Sequence, residues 1–221
     1  MKIDQIVRTR RKTFALIVQR DGSLLVRAPL RATEQQIQEL VQKKEKWIKG
    51  KQEVARQYYH KTLPREYVNG AGFTYLGKSY KLAVVENQPE PLTLSDQFYL
   101  SRSALPVAKS VFKEWYKQHA FQVIAGRVEW YSSRNGYSYQ RVRVTEARTR
   151  WGSCGPRGSL NFSWRLVMAP MRVIDYVVIH ELVHLKEKNH SKAYWNKVKL
   201  LMPDYQQQID WLNANGHTLS L

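Results

Sequence analysis

The thirteen residues Val178–His190, VIHELVHLKEKNH, restrict the fold more than any other part of the chain. His180, Glu181 and His184 form H-E-x-x-H, a pattern whose chemistry works only on a helix. Four residues turn a helix by about 400°, so the two imidazoles differ by about 40° and sit one turn apart. Their nitrogens then converge on one Zn²⁺ at about 2.0–2.1 Å. Glu181 lies about 100° round from His180, where it reaches a water beside the ion rather than the ion. The spacing thus separates two ligands, His180 and His184, from one base, Glu181.

The surroundings suit a rigid, buried helix. Pro170 fits a helix start, and Val173, Ile174, Val177, Val178 and Leu182 supply apolar surface. The helix is expected to end around Lys186–Asn189, with Asn189 taking left-handed geometry and returning His190 to the metal as third ligand. Three ligands and one open position make a catalytic site. The other reading has His190 merely open the next helix while an acidic residue completes the shell. Zn²⁺ is the expected cofactor, although the same donors accept Ni²⁺, Co²⁺ or Mn²⁺. His60, His119 and His217 stand alone and read as ordinary histidines, and Cys154, without a C-x-x-C partner, as a buried or semi-buried free thiol.

Elsewhere the chain reads as α+β. KTFALIVQ and SLLVRAP flank Asp21-Gly22 as a hairpin, and Thr33 with Gln36 opens one long helix to about Tyr59 as a capping box. On that helix Ile37, Leu40, Val41, Trp47, Ile48 and Val54 are the apolar positions. FTYLGKSYKLAVVE and PLTLSDQFYLSR are further hairpins, turning near Gly77-Lys78 and Ser95-Asp96. A second helix is expected from Pro106 to about Tyr131, burying Val111, Trp115, Phe121, Val128 and Trp130, with Asn135-Gly136 as its stop. Strands YQRVRVTEA and SLNFSWRLVM then flank the turn-rich TRWGSCGPRG. The domain reading is a basic hairpin-and-helix region at 1–104 and a catalytic region at 105–221, or one continuous domain.

Thirty-six Lys and Arg against eighteen Asp and Glu leave a net charge of +18, a field that draws polyanions. Lys43, Lys44, Lys46, Lys49 and Lys51 with Trp47 form a basic, aromatic-punctuated stretch able to follow phosphates, so nucleic acid is a candidate partner. The longest apolar runs are far too short to span a bilayer, the N-terminus lacks a secretory pattern, and the single cysteine suits a reducing cytoplasm. A cytoplasmic protein without a membrane partner is expected.

The segments TRWGSCGPRGSLNFSWRLVMAP, VIDYVVIHELVHLKEKNHSKAYW and MPDY resemble the YgjP-like metal-dependent hydrolases, within the wider group of gluzincin-type metallopeptidases. The resemblance is close over Arg148–Tyr205 and looser before it. It implies a zincin-like fold, an edge strand near Trp151–Cys154, and metal ligands His180, His184 and His190. The sequence is also similar to SprT and WLM-type proteases, which act on proteins bound to DNA. Metzincins share the spacing but place a glycine where this chain has Glu187. A UTP pyrophosphatase activity is also attached to the YgjP-like family.

Three functions follow as expectations. A peptidase would pair an extended peptide with the edge strand near Trp151–Ser153, with Tyr176, Tyr194 or an arginine at the oxyanion. A nucleoside triphosphate pyrophosphatase would use Arg141, Arg143, Arg148, Arg150, Arg157 and Arg165, whose forks match phosphate oxygens. Arg148, Arg150, Trp151 and Arg165 are the candidate substrate contacts in either case. The third function is nucleic-acid binding around a structural metal, alone or, with the first, as a DNA-associated protease.

Overall fold

The computed structural model describes residues 1–19, 21–59 and 65–221; His60 and the side chain of Val54 lie outside them. The fold is α+β, in two compact units, Met1–Arg65 and Glu66–Leu221. The hairpins at 72–101 belong to the second unit, because Phe73, Leu82, Phe98 and Leu100 share its core. A change of secondary structure near residue 104 is therefore not a change of core.

In the first unit, β2 (Ala15–Val18) and β3 (Leu24–Pro29) form the Asp21-Gly22 hairpin. Gly22 takes φ 82°, and the Asp21 carboxylate accepts from the Ser23 N–H and hydroxyl at 2.9 and 2.7 Å. A further strand, β1 (Gln5–Thr9), runs parallel to β3; its charged sequence carries no alternation that would have announced it. The capping box of α1 (Glu34–Lys43) is present in both directions. The long helix is divided, however: Lys44 leaves helical geometry at φ −107°, ψ 11°, and α2 (Glu45–Tyr59) follows. Ile37, Val41 and Ile48 are buried with Leu24, Val26 and Ala28 of β3. Trp47 is 47% exposed rather than buried, because Ile48 takes the inward direction and its neighbour points about 100° away.

The second unit begins with β4 (Gly72–Tyr75) and β5 (Lys78–Val85), joined by Leu76-Gly77 at φ 49° and 78°. This two-residue turn has positive φ at both positions, which matches strand twist. Its N–H groups donate to the Val167 and Met168 carbonyls at 2.8 and 3.1 Å, and a Cβ on Gly77 would lie 2.9 Å from Pro170. The hairpin tip thus seats the start of the motif helix. β6 (Leu92–Leu94) and β7 (Phe98–Ser101) complete a sheet of order β4-β5-β7-β6.

A 3-10 turn carrying Pro106 leads into α3 (Ala108–Asn135), which Gly136 ends in left-handed geometry at φ 61°. Its buried stripe is Ala108, Phe112, Tyr116, Ala120, Ile124, Val128 and Tyr131. Of the expected residues only Val128 is fully buried; Val111 and Trp115 flank the stripe, while Phe121 and Trp130 are 49% and 40% exposed. Ring size alone misleads here: the helix turns Ala108 and Ala120 inward beside Phe112, Tyr116 and Tyr131, and leaves Phe121 and Trp130 at the margin.

β8 (Arg141–Thr145), β9 (Gly152–Cys154) and β10 (Ser159–Ser163) form a second sheet of order β8-β10-β9, with β9 at the edge. The turn-rich segment therefore contains a strand, and the strand expected through Met168 stops at Ser163, where a 3-10 turn begins. Register places Val142, Leu160 and Cys154, and Val144, Phe162 and Gly152, on one face; Arg143, Asn161 and Ser153 share the other. Then come α4 (Met171–Val183), α5 (Lys192–Leu201) and α6 (Tyr205–Asn215). All five apolar residues expected to bury α4 do so. No helix among the described residues is long and apolar enough to cross a membrane.

Candidate metal centre

Helix α4 carries His180 and Glu181 in its last turn, and His184 is its C-cap. The helix closes earlier than its sequence suggested. Lys186 and Glu187 N–H groups both donate to the Val183 carbonyl, and Asn189 is not left-handed. The turn is held by a side chain: His184 Nδ1 lies 2.9 Å from the Glu187 carbonyl oxygen. Ser191 then caps α5 by accepting from the Tyr194 N–H at 3.3 Å, which places His190 between the two helices.

This path brings three imidazoles together. His190 Nε2 lies 3.1 Å from His180 Nε2 and 3.2 Å from His184 Nε2. With Nδ1–H of His184 donated to a carbonyl, its Nε2 bears a lone pair. With the other two rings neutral and protonated at Nδ1, three Nε2 lone pairs would face a common point, which a cation between them satisfies. A tetrahedral ion with bonds of about 2.0–2.1 Å sets its donors about 3.3 Å apart. The residues fit a metal ion, and the three form a group able to hold one.

The supporting contacts favour the neutral rings that such an ion requires. Burial, then His184 and His190, pushes the pKa of His180 down to about 3; burial also lowers that of His184. His180 Nδ1 lies 3.3 Å from the Tyr176 hydroxyl, one helical turn back. Tyr194, fully buried, donates its hydroxyl to the His180 carbonyl at 3.0 Å and packs 4.6–4.7 Å from the rings of His184 and His190. The Tyr194 hydroxyl proton is thereby committed to the His180 carbonyl, and the Tyr176 hydroxyl stands beside the His180 ring. Trp195 stacks on His190 at 5.7 Å; the sequence offered Tyr176 and Tyr194 as oxyanion candidates and gave none of the three as a support for the histidines.

Glu181 is 5% exposed. Burial pushes its carboxyl up to about 8, against the opposing charge of Arg150 and a hydrogen bond from the Cys154 backbone N–H. It lies against β9, where a Cβ on Gly152 would come within 2.5 Å of Oε1 and 2.7 Å of Cγ. Gly152 carries no motif that would single it out in one sequence. Cys154 is half-buried and free, and not among the metal-binding group.

The four candidate substrate contacts are dispersed. Arg148 and Arg150 are exposed at a bend before β9, and of the two only Arg150 registers at Glu181. Arg165 donates to the Glu146 and Ala147 carbonyls at 3.4 and 3.5 Å and stacks 4.4 Å over Trp164. The Trp151 indole packs on Gly216, whose Cβ would lie 2.9 Å from Cζ2.

Deeper support comes from α3. Arg127 grips the buried Asp175 of α4 through Nε at 2.5 Å and Nη2 at 3.0 Å, and lies over the Trp130 and Tyr131 rings at 4.9 and 5.2 Å.

Comparison with curated proteins yields no match. Among solved structures, the metallopeptidase zymogen of Pyrococcus abyssi abylysin is similar at 21% identity, over 45% of this chain and 90% of its own, with a TM-score of 0.33. The YgjP-like metallopeptidase domain matches residues 12–215, almost the entire length. The chain belongs to the YgjP-like metallopeptidase family and is a metal-dependent hydrolase.

Proposed function

We propose that the chain is a zinc-dependent peptidase in which His180, His184 and His190 hold the ion and Glu181 is the general base. The observation that carries this reading is the approach of His190 Nε2 to within 3.1–3.2 Å of the Nε2 atoms of His180 and His184, beside the buried Glu181 of the motif helix. When bound, the ion supplies Lewis acidity, lowering the pKa of a water and polarising a carbonyl oxygen. Glu181 takes a proton from the attacking water at its carboxylate and delivers it to the departing amine nitrogen. Tyr176 orients His180 through Nδ1, and Tyr194 fixes the backbone that carries it. An all-imidazole donor set with one open position suits Zn²⁺.

The substrate on this reading is an extended polypeptide. β9 pairs with β10 on one side only, and a peptide laid along the other edge gains backbone hydrogen bonds. The face of β9 that bears Gly152 touches Glu181, so the paired strand runs past the base.

A UTP pyrophosphatase on the same centre would need arginines around the anhydride. Arg141 and Arg143 lie on β8, separated from β9 by β10, and Arg143 shares the face opposite Gly152. Arg165 is held by backbone carbonyls, Arg148 is exposed at the bend, Arg157 lines a pocket with Gln140, Arg141 and Ser159, and Arg150 acts at Glu181. That distribution favours the peptide. The single free thiol suits a cytoplasmic setting.

The decisive measurement offers the zinc-loaded protein unfolded polypeptide, DNA-bound protein and each nucleoside triphosphate in parallel. Peptide cleavage that disappears with chelator and in Glu181→Gln, with zinc still bound in the variant, is the expected outcome. Full activity in Glu181→Gln would overturn the mechanism, and pyrophosphate release from UTP without peptide cleavage would overturn the substrate.

A further inference from the structure

The first unit contains a second surface that the metal centre does not use. A groove of about 480 Å³ is lined by Phe14, Leu16, Leu40, Lys44 and Trp47. It follows the seam of the two helices with β2, an edge strand in the order β1-β3-β2. Its apolar lining is aromatic and open: Trp47 is 47% exposed, while the adjoining Ile48 is fully buried.

The rim is basic. Lys43, Lys44, Lys46 and Lys51 are all exposed, and Lys49 is held by Glu45 at 2.8 Å. The unit carries sixteen Lys and Arg against six Asp and Glu. A 2.9 Å hydrogen bond from the Ile48 N–H to the Lys44 carbonyl starts α2 at Lys44. Lys44, Trp47 and Lys51 therefore rise along one helical face at three- and four-residue spacing.

Charge complementarity selects a polyanion, and the open indole selects one whose base faces are unstacked. Duplexes hide those faces, and an acidic peptide would meet the lysines without covering the ring. We propose that this groove binds single-stranded nucleic acid, with a base stacked on Trp47 and phosphates passing Lys44 and Lys51. Stacking on an aromatic ring beside a basic track is the physical basis of sequence-tolerant single-strand binding.

The full-length protein is titrated with a labelled twelve-nucleotide oligothymidylate, a duplex of equal length and a polyglutamate peptide, across a range of salt. The oligothymidylate is expected to bind tightest. Trp47→Ala should weaken it about tenfold, and Trp47→Phe, which still stacks, should retain most of the affinity. Lys44→Gln with Lys51→Gln should reduce the slope of log affinity against log salt by roughly 1.4, about 0.7 for each lost phosphate contact. Glu181→Gln should bind as the parent does, which separates this site from the hydrolytic reading. Unchanged binding in Trp47→Ala, tighter binding of duplex, or equal binding of polyglutamate would each overturn the proposal. Should Trp47→Ala fail to fold, Trp47→Phe against Trp47→Leu decides, since both fill the volume and one stacks.

Discussion

Gly152 of β9 leaves the space that Glu181 of α4 fills: a Cβ there would stand 2.5 Å from the carboxylate oxygen. That contact pins a side chain on a helix to a strand in the neighbouring sheet. Gly152→Ala should displace the carboxylate without touching any histidine. Zinc content is expected to stay at the parent value while turnover falls on the order of a hundredfold, since small misplacements of a reacting group cost that much. Turnover at the parent rate would show that the base does not depend on this glycine.

Tyr176 and His180 allow a second separation of roles. The hydroxyl lies 3.3 Å from Nδ1 of the ring, and partners of that kind typically contribute 10–100-fold to metal affinity. Tyr176→Phe should weaken zinc binding by about that factor, read by competition with a chelating dye. At saturating zinc its kcat should stay near the parent's. A collapse of kcat at saturating metal would instead assign the hydroxyl to the oxyanion.

The pair of Arg127 and Asp175 sets the stability of the motif helix. Asp175 is 4% exposed and doubly hydrogen-bonded to the guanidinium. Removing one partner of a buried pair strands the other, typically at about 3–5 kcal/mol. Arg127→Met, which strands the buried Asp175 carboxylate, should lose about that much in denaturant unfolding, whereas Arg127→Met with Asp175→Leu should recover much of it. Equal losses in the two variants would contradict a stranded charge as the cause.

Arg172 of α4 and Asp204, which precedes α6, give the fold a pH dependence. The guanidinium hydrogen bond holds the Asp204 carboxyl below its ordinary value of 3.8. Its contribution is therefore complete above pH 3.8 and is lost as pH falls through the lower folded value. Arg172→Gln should begin acid unfolding at a higher pH than the parent. Coincident acid transitions would show that the ion pair adds nothing.

The legible parts of the fold were those written in local chemistry. The Thr33–Gln36 box, the Asp21-Gly22 turn, the Gly136 stop and the apolar side of α4 are short-range hydrogen bonds or periodicities. The errors came where a choice depended on distant atoms. Phe121 and Trp130 rank above Ala108 and Ala120 by hydrophobicity, but the partners of α3 admit the alanines. The break at Lys44 carries neither proline nor glycine to mark it. The end of α4 likewise rests on His184 bonding to the Glu187 carbonyl, which a reading based on Asn189 placed too late.

By itself the sequence determined that His180 and His184 share a helical face with Glu181 turned away from them, because four-residue spacing fixes angle and rise on any helix. It also carried His190 as a candidate, without the path that brings its Nε2 within 3.1–3.2 Å of the other two. Only the tertiary structure decided that path, the tyrosines that brace His180, and the glycine that admits Glu181. It also decided that Arg141 and Arg143 share the sheet face opposite Gly152, while Arg148 and Arg150 lie at a bend and Arg165 in a backbone cradle. These depend on packing between segments far apart in the chain, and no local pattern encodes which surface a distant strand will present.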